Sequence, residues 1–314
     1  MVSVVLFVSL LGPARQTNST LDGLERVIKS SLNQQPLDDK KIFAVNEAVM
    51  RLAEKGELKT SSDYLRASRI VSTFQTNFDY CRIKHELCLA ALVLGEPGAR
   101  TEIKRTWDGF IISTGREQHI GTVAAIPGWE KFKVSPAPKS IRDLMLNPDK
   151  FIAAAKTAID NHEVTKICSD DQAAREDFNK MTAAQMNEMA QNDKKRLKSI
   201  VKLLEDGRVV TPKDFDHASL VLQHGEVWGD YSLAHELAIC SLIMGNQDSA
   251  WLAAATYDRM LESGGHHQRF GTQYKSFGNS GFMLGTVDTV GISDAQRKVM
   301  HCPTLEQAKN RKWD

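Results

Sequence analysis

Between Leu233 and Met244 only His235, Glu236 and Ser241 are polar, which predicts a helix buried on nearly every face. The residues in front of it carry a helix start. Thr211 caps, Pro212 takes a first helical position that needs no N–H, and Asp214 lies three residues after the cap. The helix begun there carries Phe215, Ala218, Leu220, Val221 and Leu222, and Gly225 stops it. Asp230 then opens the buried helix, expected over residues 231–244 and closed by Gly245. A third helix is expected over residues 248–263, ended by Gly264 and Gly265. Ahead of these, Leu197, Ile200, Val201 and Leu204 recur at three and four residues, the helical period, as do Ile42, Val45, Val49 and Leu52 much earlier. Residues 123–140, with three prolines, predict a long loop, and residues 271–290, rich in Gly, Ser and Thr, an irregular stretch before a short helix over 293–301. No stretch alternates convincingly at period two. The expected fold class is all-α.

The same plan is written twice. Residues 56–122 lie over residues 207–272 with a single one-residue gap, at an offset of 151 and then 150. Gly56, Thr60, Asp63, Ala67, Ser68, Asp79 and Tyr80 match Gly207, Thr211, Asp214, Ala218, Ser219, Asp230 and Tyr231. His85-Glu86-Leu87 matches His235-Glu236-Leu237, Thr106 and Asp108 match Thr256 and Asp258, and Gln118, Gly121 and Thr122 match Gln268, Gly271 and Thr272. The overlay holds nineteen identities, where composition would give about four. A period of about 150 residues is far beyond solenoid repeats, so the expectation is two tandem copies of a helical domain related by internal duplication. Residues 16–160 hold a degenerate first copy, and residues 161–314 a second copy with the better-preserved polar site.

Composition narrows the function classes. Forty basic against 39 acidic side chains leave a net charge of +1, without the basic excess that neutralising nucleic-acid phosphates requires. No apolar run approaches the ~20 residues that span a bilayer. Val2 to Leu11 is almost wholly apolar and is followed by Gly12, Pro13 and Ala14, so residues 1–15 are expected to be a secretory signal and the protein periplasmic or extracellular. No Lys or Arg precedes Arg15, which leaves open a buried first strand or helix and a cytoplasmic protein. Five cysteines without a C-x-x-C are too few and too scattered for a disulfide framework or a zinc knuckle; Cys81, Cys88 and Cys240 read as small buried hydrophobes. No Gly-rich phosphate loop or G-x-S-x-G elbow is present, and no cofactor is indicated.

Differences between the copies point to chemistry. The second copy has His217, Gln223, His224, Arg259 and Gln273 where the first has Arg66, Ser72, Thr73, Gly109 and Val123. The polar groups common to both, His85/His235, Glu86/Glu236, Asp108/Asp258 and Gln118/Gln268, are expected to maintain the fold, and the set confined to the second copy to mark a ligand or reaction site. Drift of a solvated face would leave the same pattern. His217 and His224 are seven apart and share a helix face two turns apart, so they cannot chelate one metal alone but could line one groove. His235-Glu236 matches the start of H-E-x-x-H, but residue 239 is Ile, so the zinc-protease reading fails. A metal bridging His224, His235 and one of His266 and His267 stays open beside the plainer reading, in which His235 and Glu236 hydrogen-bond within the core. Asp258-Arg259 reads as a salt-bridging pair, and Lys194-Lys195-Arg196 as a solvated basic face.

The stretches D-F-D-H-A-S-L-V-L-Q-H-G, D-Y-S-L-A-H-E-L, A-A-A-T-Y-D-R-M-L and Q-R-F-G-T-Q-Y, with D-Q-A-A-R at Asp171, Gln172 and Arg175, resemble a bacterial family of helical proteins known as a domain of unknown function and often exported. The resemblance covers residues 168–275, and residues 56–122 as a decayed copy. It implies a helical fold and recurrent polar positions and supplies no activity. Three functional readings follow. The first is a binding module for a small molecule or peptide, with Gln172, Arg175, Gln223, His224, His235, Arg259, Gln268, Thr272 and Gln273 as candidate ligand contacts. The second is a hydrolase acting on a peptide or amide through His217, His224 and Asp258, with Gln268 and Gln273 orienting the substrate. The third is a histidine-based metal-binding protein.

Overall fold

The computed structural model describes residues 18–32, 38–72, 77–124, 132–177, 180–276 and 281–312; the expected signal segment lies outside them. The fold is all-α. Helices α1 (Ser19–Leu32) and α2 (Asp39–Glu54) lead into α3 (Ser61–Ile70), α4 (Phe78–Val93) and α5 (Ala99–Ser113). Helices α6 (Lys139–Leu146), α7 (Pro148–Ala155), α8 (His162–Ala173) and α9 (Ala183–Glu205) lead into α10 (Pro212–Leu222), α11 (Trp228–Ile243) and α12 (Ala250–Ser263). The chain ends through β1 (Tyr274–Ser276), β2 (Phe282–Leu284), α13 (Asp294–Val299) and α14 (Leu305–Lys309). The two strands form an antiparallel hairpin that pairs Tyr274 with Leu284, in a stretch expected to be irregular. Strands of three residues are too short to announce themselves by alternation. Helices α1, α6, α7, α8 and α14 have no counterpart among the expected elements, and α8 begins just past the expected boundary between copies at residues 160 and 161.

Matched helix starts are built alike. Thr211 Oγ1 accepts from Asp214 N (3.1 Å) while Asp214 Oδ2 accepts from Thr211 N (3.2 Å), a capping box that Thr60 and Asp63 repeat at 3.1 and 3.0 Å. Replacing Thr211 by Ala is expected to cost about 1–2 kcal/mol of unfolding free energy in urea titration, since the cap is buried and its hydroxyl also donates to Asp160 Oδ1 at 2.9 Å. Helix α11 departs from the expected start. It begins at Trp228, and Asp230 sits within its first turn, where its carboxylate reaches back to accept from Glu226 N (3.0 Å) and Val227 N (3.3 Å). Asp230 is a good first-turn acceptor because the terminal N–H groups lack helical partners. Similarly, residues 247–249 form a 3-10 turn ahead of α12 rather than its first turn.

Helices α3, α4 and α5 pack in succession, as do α10, α11 and α12, and α4 lies against α11. One continuous apolar core runs through both halves, from Leu21 to Cys302. At its centre His85 and His235, both fully buried, meet Nε2 to Nε2 at 3.1 Å. The Ala253 carbonyl can only accept, so His235 Nδ1, 2.9 Å away, carries the hydrogen and its Nε2 accepts from His85. His85 Nδ1 then accepts from the Thr106 hydroxyl at 3.2 Å. Every ring nitrogen is satisfied with both imidazoles neutral. Burial lowers the pKa of His85 well below the usual value, and that of His235 to about 3.

The flanking acids cross over between the halves. Glu86 of α4 receives Arg269 through Nε (2.8 Å) and Nη2 (2.9 Å), and Glu236 of α11 receives Trp107 Nε1 (2.7 Å) and the His119 ring (2.5 Å). Glu86/Glu236 and His119/Arg269 are each 150 residues apart, so matched residues make reciprocal contacts. The C-terminal segment also reaches the first half: Arg82 pairs with Asp288, and Gly291 N donates to Glu54 Oε1 at 2.8 Å. Among the described residues no helix is long and apolar enough to cross a membrane.

Candidate functional site

Two segments build the polar corner of the second half. Helix α8 starts at an Asn161 cap and carries Asp171 in its last turn, and Arg175, just past the helix end, folds back four residues onto it. Helix α9 starts at a Thr182–Gln185 capping box and carries Asp193 and Arg196 three apart. Arg175 Nη1 donates to Asp171 O (2.8 Å), satisfying a carbonyl at the end of α8, and to Asp171 Oδ1 (2.9 Å). Its Nη2 donates to Asp193 Oδ2 at 2.8 Å, and Arg196 closes the ring to Asp193 and, at 3.3 Å, to Asp171. Gln172 Nε2 donates to Asp171 Oδ2 at 2.9 Å. Asp171 is fully buried. Burial alone would raise its pKa, but His224, Arg175 and Arg196 outweigh that and hold it below the ordinary carboxylate value.

Helix α10 delivers His224 to the same carboxylate. Its Nδ1 lies 3.0 Å from Asp171 Oδ2, within ion-pair range but off the line of a good hydrogen bond. The turn that carries it is tightly held. A Cβ on Gly225 would fall 2.2 Å from that of Asp230, and Tyr231 donates its hydroxyl to Gly225 O at 2.6 Å. The ring forms part of the wall of a cleft of about 450 Å³, with Ala190, Asp193, Leu197, Gly225 and Asp230. Lys194 and Glu226 pair at 3.1 Å on its wall. Burial lowers the His224 pKa despite the Asp171 contact, so at neutral pH the imidazole is uncharged and can accept a proton. On α12, Arg259 has a lowered pKa, from burial first and with Arg175 adding to it, and its buried Nε has no hydrogen-bond partner.

The candidate residues divide sharply. Gln172, Arg175 and His224 gather around Asp171, with Arg259 beside Arg175 and His224, whereas the others are engaged inside the fold or lie apart. Asp258 is fully buried and accepts from Arg269 N (2.7 Å), Phe270 N (3.0 Å), Thr272 N (3.1 Å) and Thr272 Oγ1 (2.7 Å). Asp108 does the same for His119, Ile120 and Thr122. Burial raises the Asp258 pKa to about 6, and among the described residues its carboxylate pins a loop rather than pairing with Arg259. Gln268 closes that loop through Nε2 to Gln273 O (2.9 Å) and Oε1 from Gln273 N (2.8 Å), while Gln273 Nε2 donates to Ala255 O (3.2 Å). His235 is held by His85 and Ala253, and Thr272 by Asp258, so these five candidates, Asp258, Gln268, Gln273, His235 and Thr272, serve the fold.

His217 does not share the cleft with His224. Its charged neighbours are Asp216, Lys213, Asp214 and Asp160, at the opposite end of α10. Gln223 is buried at the C-terminal end of α10 and does not line the cleft. His266 stacks on Phe78 with ring centroids 4.2 Å apart, and among the described residues no group of three or more His, Cys, Asp or Glu is placed to hold a metal. Arg196, expected on a solvated face, turns inward to two buried acids. Asp171, Asp193 and Arg196 were missed as site residues; the signal available was opposite charge at i,i+4 and i,i+3 on two helices. No protein-family model, curated protein or solved structure matches this chain.

Proposed function

We propose that this protein is a ligand-binding module whose second half takes a small polar molecule or a peptide in the cleft beside His224. The observation that carries this is the convergence of Gln172, Arg175 and His224 on the buried Asp171, with the His224 ring on the wall of that cleft and Arg259 beside Arg175 and His224. The comparison of the copies singles out His224 and Arg259, and the D-Q-A-A-R resemblance Gln172 and Arg175. Duplication supports the reading: the first half has Thr73 and Gly109 at the positions of His224 and Arg259, while the matched core residues make matched bonds in both halves. The cleft offers a neutral imidazole together with acidic and basic side chains, so its occupant carries both donors and acceptors. Capped dipeptides and small amides titrated against the protein, with the His224 ring followed by NMR, are expected to give saturable shifts. Replacing His224 by Ala should weaken binding about tenfold, equivalent to about 1.4 kcal/mol, and Ala190→Trp should abolish it by filling the cleft. Unmoved ring signals across the whole set would refute the reading.

A second reading, hydrolysis of an amide, draws on the His224–Asp171 pair. A buried carboxylate beside Nδ1 sets the tautomer and steadies the imidazolium formed when the ring takes a proton. Among its described residues the cleft wall has no serine, threonine or cysteine, so the nucleophile would be water. Release of free amine from the same capped dipeptides, lost in His224→Gln, separates this reading from simple binding.

A further inference from the structure

The first half has a cavity of its own. Helix α5 carries Gly109 at the position where α12 carries Arg259, and a Cβ built on Gly109 meets nothing within 4 Å. The space belongs to a cavity of about 330 Å³ lined by Lys84, Arg105, Gly109, Ile112, Val123 and Phe132 among others. Glycine in a helix interior costs about 0.5–1 kcal/mol relative to alanine. Here no packed neighbour demands it, since a methyl group would fit; what the missing side chain preserves is room.

The charge of the lining is one-sided. Lys84 and Arg105 line the cavity, and no carboxylate belongs to its described lining. Lys84 is fixed in place, its Nζ donating to Ser68 O and Val71 O at 2.9 Å each, at the C-terminal end of α3. Arg105 is exposed and forms no ion pair or hydrogen bond with a described residue. The hydroxyls nearby are already engaged, Thr122 with Asp108 and Thr106 with His85. Two cations and an apolar remainder therefore define what the cavity recognises. Water in such a space leaves Arg105 without a counter-charge and Lys84 with only the charge of Glu102 nearby, whereas an anion with a hydrocarbon body satisfies both parts of the wall.

We propose that this cavity binds a small organic carboxylate, with the carboxylate at Lys84 and Arg105 and an aliphatic or aryl body against Ile112, Val123 and Phe132. The site is separate from the His224 cleft and does not depend on the function assigned there. Calorimetric titration at low salt with octanoate and benzoate, set against octanol and benzamide, tests it. At least one carboxylate is expected to bind saturably at one per chain and at least tenfold more tightly than its neutral counterpart. Arg105→Gln, at an exposed position that leaves the fold intact, should reduce that preference at least fivefold. Gly109→Leu should abolish binding while thermal unfolding stays near that of the parent, because the leucine enters open space. Equal affinity for acid and neutral analogue, retention of binding in Gly109→Leu, or no saturable binding of either carboxylate would each overturn the proposal.

Discussion

Replacing Arg269 by methionine is expected to lower the unfolding free energy by about 3–5 kcal/mol in urea titration. Arg269 and Glu86 are both completely buried and joined by two parallel hydrogen bonds of 2.8 and 2.9 Å. The guanidinium also donates to Asp288 O (2.7 Å) and Val290 O (2.6 Å), so one side chain ties α4 to two stretches of the C-terminal segment. Methionine fills much of the volume but leaves a carboxylate without a counter-charge in a low-dielectric core, and that uncompensated charge is the main cost. The double variant Glu86→Leu/Arg269→Met should recover a large part of the loss, because desolvating an ion pair offsets much of its attraction. Recovery should stay incomplete, since the Asp288 and Val290 carbonyls remain without their donor. A single variant that loses less than about 1 kcal/mol, at the level of an exposed pair, would show that Arg269 does not organise the centre of the fold.

What could be read from the chain alone follows the range of the interactions. The Thr211–Pro212–Asp214 start is written in adjacent residues and reads directly. The buried α11 is equally plain because twelve residues hold only three polar ones. Self-comparison found His85/His235, Glu86/Glu236 and Asp108/Asp258, but not what they bond to. Glu86 meets Arg269 across 183 positions and His119 meets Glu236 across 117, distances at which spacing rules say nothing. Asp258 misled for a local reason: beside Arg259 it looks like half of a surface pair, yet its side chain points to the N–H groups of a loop eleven to fourteen residues on. The candidate site was partly legible. His224 and Arg259 stood out because the other half lacks them, while Asp193 and Arg196 had only short-range charge spacing to mark them, and Arg196 read as part of a solvated basic face.

Acidification is expected to destabilise the protein steeply, and the His85–His235 pair is a principal source. In the unfolded chain each imidazole titrates near 6.5, so below that pH the unfolded state takes up protons that the folded core refuses. The sign follows from the depressed folded values: the contribution is absent above about 6.5 and grows as a loss of stability when pH falls toward the folded pKa, about 3 for His235. Each neutral-held histidine steepens the loss by about 1.4 kcal/mol per pH unit. His119 works in the opposite direction. Burial alone would lower its pKa, but Glu236 outweighs this and raises it, so its stabilisation is present at low pH and is lost as pH rises through the folded value. Asp258, raised to about 6 by burial, also takes up a proton in the folded state and offsets part of the loss. The total slope is therefore a sum over several groups, and a variant isolates one of them. His85→Gln removes one ring from the pair, and the slope of unfolding free energy between pH 6.5 and 5 should become shallower by about 1 kcal/mol per unit on average, approaching the full value at the acid end, whatever its absolute stability. An unchanged slope would mean that this histidine carries a proton in the folded protein, and the neutral chain from Thr106 through both rings to Ala253 would have to be redrawn.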